Sequence, residues 1–309
     1  MNITSILVIT DLSTRENIAV QRASQLAAMH RASVKLMYVP AHGQPVLPTA
    51  ASRLADAARQ LEDSLQLRVR TAPVKPHPLK DLADEARGAD LVVLPHRHER
   101  STAAFFRGQP VLRLLRQCNR PVLVVRQAHT VPYARVLVPV DFSKASEALV
   151  KLAAQFDSNA KLELFHAIST LDEAKLRSAE APEQAVRAYR ERCLKYAQDR
   201  IVSLTDSFDA RRNRVLTTIG RGDAGRQVVI QQEHSGADLV VLGKSRSTVW
   251  EDFLRGSVAH YVLSWGSSDV LVVPDACLQA TVPLATRRAA RIIDNKPALH
   301  LQPAGRRTS

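Results

Sequence analysis

The sequence has 309 residues, of which 45% are hydrophobic, and its net charge of +13 comes from 43 Lys and Arg against 30 Asp and Glu. This length suits two domains that can each bury a core, and no apolar run approaches the roughly 20 residues of a membrane span. Three cysteines argue against a disulfide framework and for a reducing, cytoplasmic setting, and the excess of positive charge suits anionic partners or a solvated surface. No basic segment is interleaved with aromatic residues, which argues against a single-strand nucleic-acid binder.

The first half begins with a strand rather than a signal peptide, and four more short apolar runs follow. These five runs are rich in Val, Leu and Ile, as expected for parallel strands buried on both faces. They are Ile6–Thr10, Val34–Val39, Leu67–Thr71, Leu91–Leu94 and Val122–Val125. An Ala-rich stretch, Ala50–Leu65, predicts a helix, and helices between the strands imply right-handed crossovers.

The second half follows a short joint, residues 127–133, and predicts five further strands. They are Val136–Val140, Leu162–Ala167, Arg214–Ile219, Leu239–Leu242 and Val270–Val273. Its helical region Leu171–Leu204 is longer than the equivalent helix of the first half. The short joint predicts that the halves pack against each other, and the basic tail from residue 277 is expected to be mobile.

The two halves are copies of one unit. GADLVVL occurs at 88–94 and at 236–242, and VLVV closes each copy at the same offset of 148 residues. A second match pairs ILVITDLS at 6–13 with VLVPVDFS at 136–143. The repeat predicts an α/β protein of two tandem, doubly wound, five-stranded parallel-sheet domains, residues 1–130 and 131–276, followed by the tail 277–309. Ligands of such domains bind beyond the carboxyl ends of the strands.

One apparent dinucleotide motif does not fit its context. GRGDAG at 220–225 follows the third strand of its half rather than the first, and the next strand ends without the expected acidic residue. Its Gly222 is interpreted as part of a tight turn where backbone approaches something closely. No Ser/His/Asp or Cys/His set and no metal-ligand spacing is recognisable.

A spaced set of residues after the fourth strand of the second half suits an anion. Gly243 is followed by Arg246 and then by Gly256 and Ser257, which open a helix. Glycine lets backbone turn toward a phosphate, and a helix N-terminus presents unsatisfied N–H groups to it. Asp141, after the first strand, faces the same crevice and either accepts bonds from a ribose or an adenine amine, or caps the following helix.

This pattern resembles the universal stress protein family, specifically its tandem two-domain members, over nearly all of residues 3–275. The family's marker is an Asp after the first strand and Gly-x2-Gly-x9-Gly-(Ser/Thr) after the fourth, matched here at Asp141, Gly243, Gly256 and Ser257. Arg246 stands where the family's nucleotide binders carry the second glycine. Two alternatives stay open, since Arg246 either pairs with phosphate or fills the loop space.

The resemblance also implies roles for three further positions. Gly222 corresponds to the family's glycine near the end of the third strand, and Ala167 to the position whose backbone meets adenine. Val258, which follows Ser257, completes the predicted binding set. The implied fold is adenine-nucleotide α-hydrolase-like, with the fifth strands pairing the two domains as a pseudo-two-fold pair inside one chain.

The first half departs from the marker more strongly. It keeps Asp11 and Gly108, but Pro95, His98 and Gln109 replace the first Gly, the second Gly and the Ser. Because proline cannot adopt a positive φ or donate an N–H, we expect this site to be degenerate.

The resemblance therefore implies a cytoplasmic stress-response protein that binds ATP or a related adenine nucleotide, with or without magnesium, in its second domain. The role is expected to be regulatory rather than catalytic, although slow ATP hydrolysis stays open. The alternative is a nucleotide-independent interaction protein that has lost both sites. A protein partner is expected but not identified, and a homodimer of the whole chain also stays open.

Overall fold

A computed structural model describes residues 2–13, 17–40, 44–66, 68–75, 78–96, 119–128, 131–206, 215–244 and 258–280. The first half contains strands β1 Ser5–Thr10, β2 Ser33–Tyr38, β3 Val69–Thr71, β4 Leu91–Pro95 and β5 Val122–Val125, with helices α1 Asn17–His30, α2 Ala50–Leu65 and α3 Pro78–Arg87. The second half contains strands β6 Arg135–Pro139, β7 Lys161–Ile168, β8 Leu216–Arg221, β9 Leu239–Lys244 and β10 Asp269–Pro274. Its helices are α4 Lys144–Phe156, α5 Leu171–Ser178, α6 Glu183–Asp206, α7 Ala224–Ser235, α8 Val258–Trp265 and α9 Asp275–Ala280.

All ten strands join in one sheet, in the order β3-β2-β1-β4-β5-β10-β9-β6-β7-β8. The strands within each half pair in parallel, whereas β5 and β10 pair antiparallel, with Leu123 opposite Leu271. This arrangement confirms the predicted fold class and the pairing of the fifth strands within one chain. The antiparallel seam relates the halves by a pseudo-two-fold axis at the Leu123–Leu271 pair.

Two layers of apolar residues cover the two faces of the sheet. One layer contains residues of α1 and α2 together with residues of α4 and α6, and the other contains residues of α3 together with residues of α7 and α8. Each layer therefore runs across the seam from one half into the other. The central strands β4, β5 and β10 are buried on both faces, since every one of their residues is buried, whereas the edge strands β3 and β8 are largely exposed or half-buried.

The repeated aspartate of GADLVVL fastens two strands together in each half. One oxygen of Asp90 accepts bonds from the N–H groups of Thr4 and Ser5 at 2.9 and 3.1 Å. Burial raises the pKa of Asp90, but these bonds outweigh it and hold the pKa below its usual value. Asp238 accepts from the equivalent N–H groups of Ala134 and Arg135, at 2.7 and 3.0 Å, with one oxygen for each. The aspartate that both copies of GADLVVL share therefore has the same structural role in each half.

The glycine of GADLVVL has a different backbone conformation in each half, so the same substitution at both positions tests the effect of that conformation. Gly236 ends α7 with a φ of 64°, while Gly88 has no positive φ, and a methyl group at either position would meet no close contact. We expect Gly236→Ala to lower the free energy of unfolding by about 1–2 kcal/mol, because the left-handed conformation is strained for alanine. Gly88→Ala should be neutral or stabilising by up to about 1 kcal/mol. Urea denaturation measures both, and equal losses would contradict the difference in backbone conformation.

Besides shifts of one or two residues at strand ends, two helical segments differ from the expectations. The region Leu171–Leu204 holds two helices, because the chain turns at Glu180, which has a φ of 54°, and Pro182 precedes the first residue of α6. The boundary set at residue 276 falls inside α9, whose Leu278 is 2% exposed and belongs to the core. The apolar side chain at 278 explains why the chain packs past the predicted end of the domain, and residues 281–309 lie outside the described residues.

A buried polar cluster joins the halves beside the seam. Asp269 is fully buried and lies 3.4 Å from Nε of Arg22, which comes from α1 of the other half. Its two oxygens accept from the backbone N–H of Arg126 and from the hydroxyl of Tyr133, each at 2.8 Å. The Arg22 guanidinium also lies 4.2 Å from the ring centre of Tyr133. The short joint is thus held to both halves by one carboxylate and its partners.

Burial shifts the ionisation of this cluster. It raises the pKa of Asp269, while the bonds from Arg126 and Tyr133 and the charge of Arg22 act in the opposite direction. It also lowers the pKa of Arg126 to about 10, against the attraction of Asp269. The Arg126 side chain compensates part of its desolvation by donating to the carbonyl oxygens of Gly266, at 2.6 Å, and Leu263.

Candidate functional site

Four of the predicted binding residues lie at the carboxyl ends of neighbouring strands. Asp141 follows β6, Ala167 is near the end of β7, Gly222 follows β8, and Gly243 is near the end of β9. These strands are adjacent in the sheet, and β6 and β9 mark the point where the strand order changes direction. Open α/β sheets bind ligands at this point. Val258 is the first residue of α8, whereas Arg246, Gly256 and Ser257 lie outside the described residues.

Asp141 is held by the turn that follows β6. Its Oδ1 accepts bonds from the N–H of Ser143 at 3.0 Å and from the hydroxyl of Ser146 at 2.5 Å. Partial desolvation by the surrounding turn raises the pKa of Asp141, but the bonds from Ser143 and Ser146 outweigh it and lower the pKa below its usual value. The carboxylate is therefore ionised at neutral pH. Among the described residues, no hydrogen bond to its Oδ2 is recorded.

The helix cap predicted for this segment belongs to a different residue. Ser143 is the N-cap of α4, and its hydroxyl accepts from the N–H of Ser146 at 3.3 Å. Asp141 supports the turn before the helix and, through the Ser146 hydroxyl, also contacts the first turn of α4. One of its oxygens has a structural role, and the exposed side chain keeps an acceptor oxygen for a ligand.

Phe142 takes a conformation that is uncommon for a large side chain. Its φ is 63°, and Leu12, the equivalent residue of the first half, has a φ of 62°. The Phe142 ring packs against His166, with 4.2 Å between ring centres, and edge-on against Tyr196 at 6.2 Å. His166 in turn donates from Nδ1 to the carbonyl of Val140 at 2.8 Å. Packing and hydrogen bonding thus compensate for strain on the turn that carries Asp141.

The backbone of Ala167 faces the crevice. The neighbouring residues show the alternation of a parallel ladder, since Phe165 accepts from Val140 on one side and Ile168 accepts from Gly222 on the other. The N–H and C=O of Ala167 therefore point toward the side of β6, beyond its last paired residue, Pro139. An edge of paired donor and acceptor atoms at this place suits a planar base.

Two glycines of the predicted binding set lie within the described residues, and they differ in whether the fold requires glycine at that position. Gly222 has a φ of 132°, which side chains rarely adopt, so the turn between β8 and α7 requires glycine. Gly243 has no positive φ, and a methyl group there would lie 3.5 Å from Leu149 and 3.6 Å from Leu278, which are ordinary contacts. The fold alone therefore does not require glycine at position 243.

A cluster of charges ties α5 to the end of β8 beside Gly222. Glu173 accepts bonds from the guanidinium groups of Arg190 and Arg221, and Nε of Arg177 lies at 3.6 Å. The bond from Arg190 lowers the pKa of Glu173, and the surrounding positive charges add to this effect. Glu183 also lies 4.0 Å from Arg177, so three cations and two carboxylates together hold α5 against α6 and the end of β8.

The sequence did not reveal several residues that build the site. Phe142, His166 and Arg200 shape the turn, and Arg200 donates to the carbonyl of Phe142 at 2.9 Å. The only sequence signal for the turn was the match between TDLS and VDFS, which marks the position but not the conformation. In the first half, Asp11 also accepts from the N–H of Ser13 at 2.8 Å, and Pro95 ends β4 at the position of Gly243. Its degeneracy stays a prediction, since Gly108, His98 and Gln109 lie outside the described residues.

No helix within the described ranges is long and apolar enough to cross a membrane. The sequence matches no curated protein at a significant level. Among solved structures, a functionally unknown protein from Pseudomonas aeruginosa PAO1 is 22% identical, with a TM-score of 0.63, over 92% of this chain and 98% of that one. A putative universal stress protein from Pseudomonas aeruginosa UCBPP-PA14 is 21% identical, with a TM-score of 0.64, over 90% and 96%.

A universal stress protein from Archaeoglobus fulgidus is 16% identical, with a TM-score of 0.63, over 87% of this chain and 96% of that one. At these identities the structures support the fold. The model of the Universal stress protein family matches twice, at residues 2–126 and 132–274, so that each half of the sheet corresponds to one copy. The chain belongs to the universal stress protein family, as a member with two such domains in tandem.

Proposed function

We propose that the second domain binds ATP or a related adenine nucleotide, and that binding regulates the protein rather than supplying a catalysed reaction. The observation that carries this proposal is the ionised Asp141, whose Oδ1 is held by Ser143 and Ser146 at the strand switch point of the sheet. The remaining oxygen is an acceptor for ribose hydroxyls. Asp223 follows the end of β8 at the same spacing, but it caps α7, because its Oδ1 accepts from the N–H of Arg226 at 2.9 Å.

The neighbouring groups suit the other parts of such a ligand. The backbone of Ala167 offers a donor and an acceptor edge to adenine, and Gly222 leaves the adjacent turn without a side chain. Gly243 opens the loop in which the sequence places Arg246, Gly256 and Ser257, the groups expected to meet phosphate, and Val258 begins the helix that follows. Any magnesium ion would come with the phosphates of the nucleotide.

The described residues support a regulatory role more than a catalytic one. Acyl or phosphoryl transfer by the chain itself would need a positioned nucleophile and base. His166 donates from Nδ1 to the carbonyl of Val140 and packs against Phe142, so it has a structural part in the turn. The hydroxyl of Ser146 donates to Asp141, so it serves the turn. Nucleotide binding would instead favour one conformation of the crevice.

We expect Asp141→Ala to weaken ATP binding by about 1–3 kcal/mol, because ribose hydroxyls lose a charged acceptor. Asp11→Ala, the matched change in the first domain, should leave the affinity unchanged. Titration calorimetry on the full chain measures both. Melting temperatures of the two variants separate binding from stability, since both aspartates support equivalent turns.

Three outcomes oppose the proposal in different ways. If the wild-type protein binds no adenine nucleotide and purifies without one, the nucleotide-independent interaction protein is the better description. If Asp11→Ala and Asp141→Ala weaken binding equally, the site is not confined to the second domain. If neither change affects binding, the nucleotide lies elsewhere.

A further inference from the structure

Each domain contains an arginine that donates to the strained turn after its first strand. In the first domain, Nη2 of Arg53 lies 2.8 Å from the carbonyl oxygen of Leu12. In the second, Nη2 of Arg200 lies 2.9 Å from the carbonyl oxygen of Phe142. Leu12 and Phe142 are equivalent in the repeat, and both arginines lie on the helix that packs after the second strand, α2 or α6.

The carbonyl that each arginine contacts belongs to a peptide unit with a second partner. The N–H of the Phe142–Ser143 peptide donates to Oδ1 of Asp141 at 3.0 Å, while its C=O accepts from Arg200. One rigid, planar peptide therefore lies between a guanidinium on one side and a carboxylate on the other. A bond at one end of such a chain polarises and orients the bond at the other end.

The first domain repeats this chain of contacts. The N–H of the Leu12–Ser13 peptide donates to Oδ1 of Asp11 at 2.8 Å, and its C=O accepts from Arg53. A guanidinium–peptide–carboxylate relay is thus built into both copies, although only the second keeps the glycine after the fourth strand. The two relays have the same local contacts but different surroundings.

We infer that Arg200 is a positioning residue of the nucleotide site, which orients the carboxylate of Asp141 through the Phe142–Ser143 peptide. The turn costs free energy because Phe142 has a positive φ, and the Arg200 bond helps to hold it. With Oδ1 fixed on the peptide N–H and on Ser146, the second oxygen has a set direction toward the ligand. Arg200 need not touch the nucleotide. This inference rests on the function proposed above.

The test compares Arg200→Met with Arg53→Met in the full-length protein. Methionine keeps much of the aliphatic stem but removes every donor, and both arginines are exposed, so both variants are expected to fold. We expect Arg200→Met to weaken ATP binding about tenfold, the effect of losing one hydrogen bond to a charged group. Arg53→Met should leave the affinity unchanged and cause a similar small fall in melting temperature. Arg200→Lys, which keeps a charged donor, should recover part of the affinity.

A second measurement reports on the relay without any nucleotide. Carbon-13 NMR titration of the Asp141 carboxyl should show a higher pKa in Arg200→Met than in the wild type, because the peptide N–H is less firmly directed at Oδ1. Arg53→Met should not change the pKa of Asp141. An unchanged pKa in Arg200→Met would overturn the relay, whatever the protein binds.

The binding data then separate the two claims. Wild-type protein that binds ATP, together with an Arg200→Met variant of equal affinity, would overturn the positioning role and leave the proposed function intact. Equal losses in Arg200→Met and Arg53→Met would show a general loss of stability rather than positioning. Wild-type protein that binds no ATP would overturn both claims, even if the NMR titration confirmed the contact between the two side chains through the peptide.

Discussion

Replacing Asp269 with alanine is expected to lower the free energy of unfolding by about 3–5 kcal/mol, because it leaves Arg22 buried without its carboxylate. Arg22 is 2% exposed and Asp269 is fully buried, so water cannot solvate the remaining charge. The change also removes the acceptor of the Tyr133 hydroxyl and of the Arg126 N–H. Since these groups come from the joint and from both domains, the loss falls on the contact between the halves.

Urea denaturation followed by circular dichroism measures this loss, and an exposed ion pair supplies the control. Asp84 pairs with Arg87 on α3, where both side chains are about two-thirds exposed, 68% and 65%. Asp84→Ala should change the free energy of unfolding by no more than about 1 kcal/mol. The double variant Arg22→Met, Asp269→Ala should lose less than the sum of the single changes, because no buried charge is left unpaired. A fully additive double variant would contradict the ion pair.

Truncating either leucine of the antiparallel β5–β10 pair should lower the free energy of unfolding nearly as much as Asp269→Ala. Leu123 and Leu271 face each other across the antiparallel pair, both are fully buried, and both belong to the same apolar layer. We expect Leu123→Ala and Leu271→Ala each to lower the free energy of unfolding by about 2–5 kcal/mol, through lost burial and the cavity that remains. The two losses should be similar, because the pseudo-two-fold axis gives these residues equivalent surroundings.

The same experiment tests whether the domains unfold together. Because each apolar layer crosses the seam, either leucine variant should show one transition, shifted as a whole. Leu194→Ala on α6, where the side chain is 42% exposed, should change the stability by less than about 0.5 kcal/mol. Two separate transitions, of which each variant moves only one, would show that the halves are independent.

Much of the fold could be predicted because the repeat and the buried strands leave strong signals. Continuous runs such as Leu91–Leu94 and Val270–Val273 predict strands covered on both faces, and the structure extends them by a residue at most at each end. The pairing of the fifth strands came from family resemblance rather than from the residues, and its antiparallel direction was not predicted, since VLVV has the same pattern in either pairing direction. Leu278 was missed because one apolar residue in a basic tail gives no periodicity.

The sequence predicted which positions belong to the site, but not the side-chain contacts that hold them. Asp141 and Gly243 follow from the ends of predicted strands, and Ala167 and Gly222 from the family resemblance; the structure gathers all four at one edge of the sheet. The relay through Arg200 could not be found in this way. Arg53 lies near the start of α2, whereas Arg200 lies deep in the longer α6, so no constant offset aligns these arginines with the turns that they contact.

The position of β10 sets a condition on how the chain is made. It is the last strand in sequence among the described residues, yet it lies at the middle of the sheet, between β5 and β9. Until residues 269–274 leave the ribosome, β5 and β9 both present unpaired backbone groups along buried, apolar strands, and such open edges promote wrong pairings. The first domain can form its other contacts early, but its edge is closed only by a segment more than 140 residues further along the chain. A nascent chain of this protein therefore needs protection of that edge for nearly half of its synthesis.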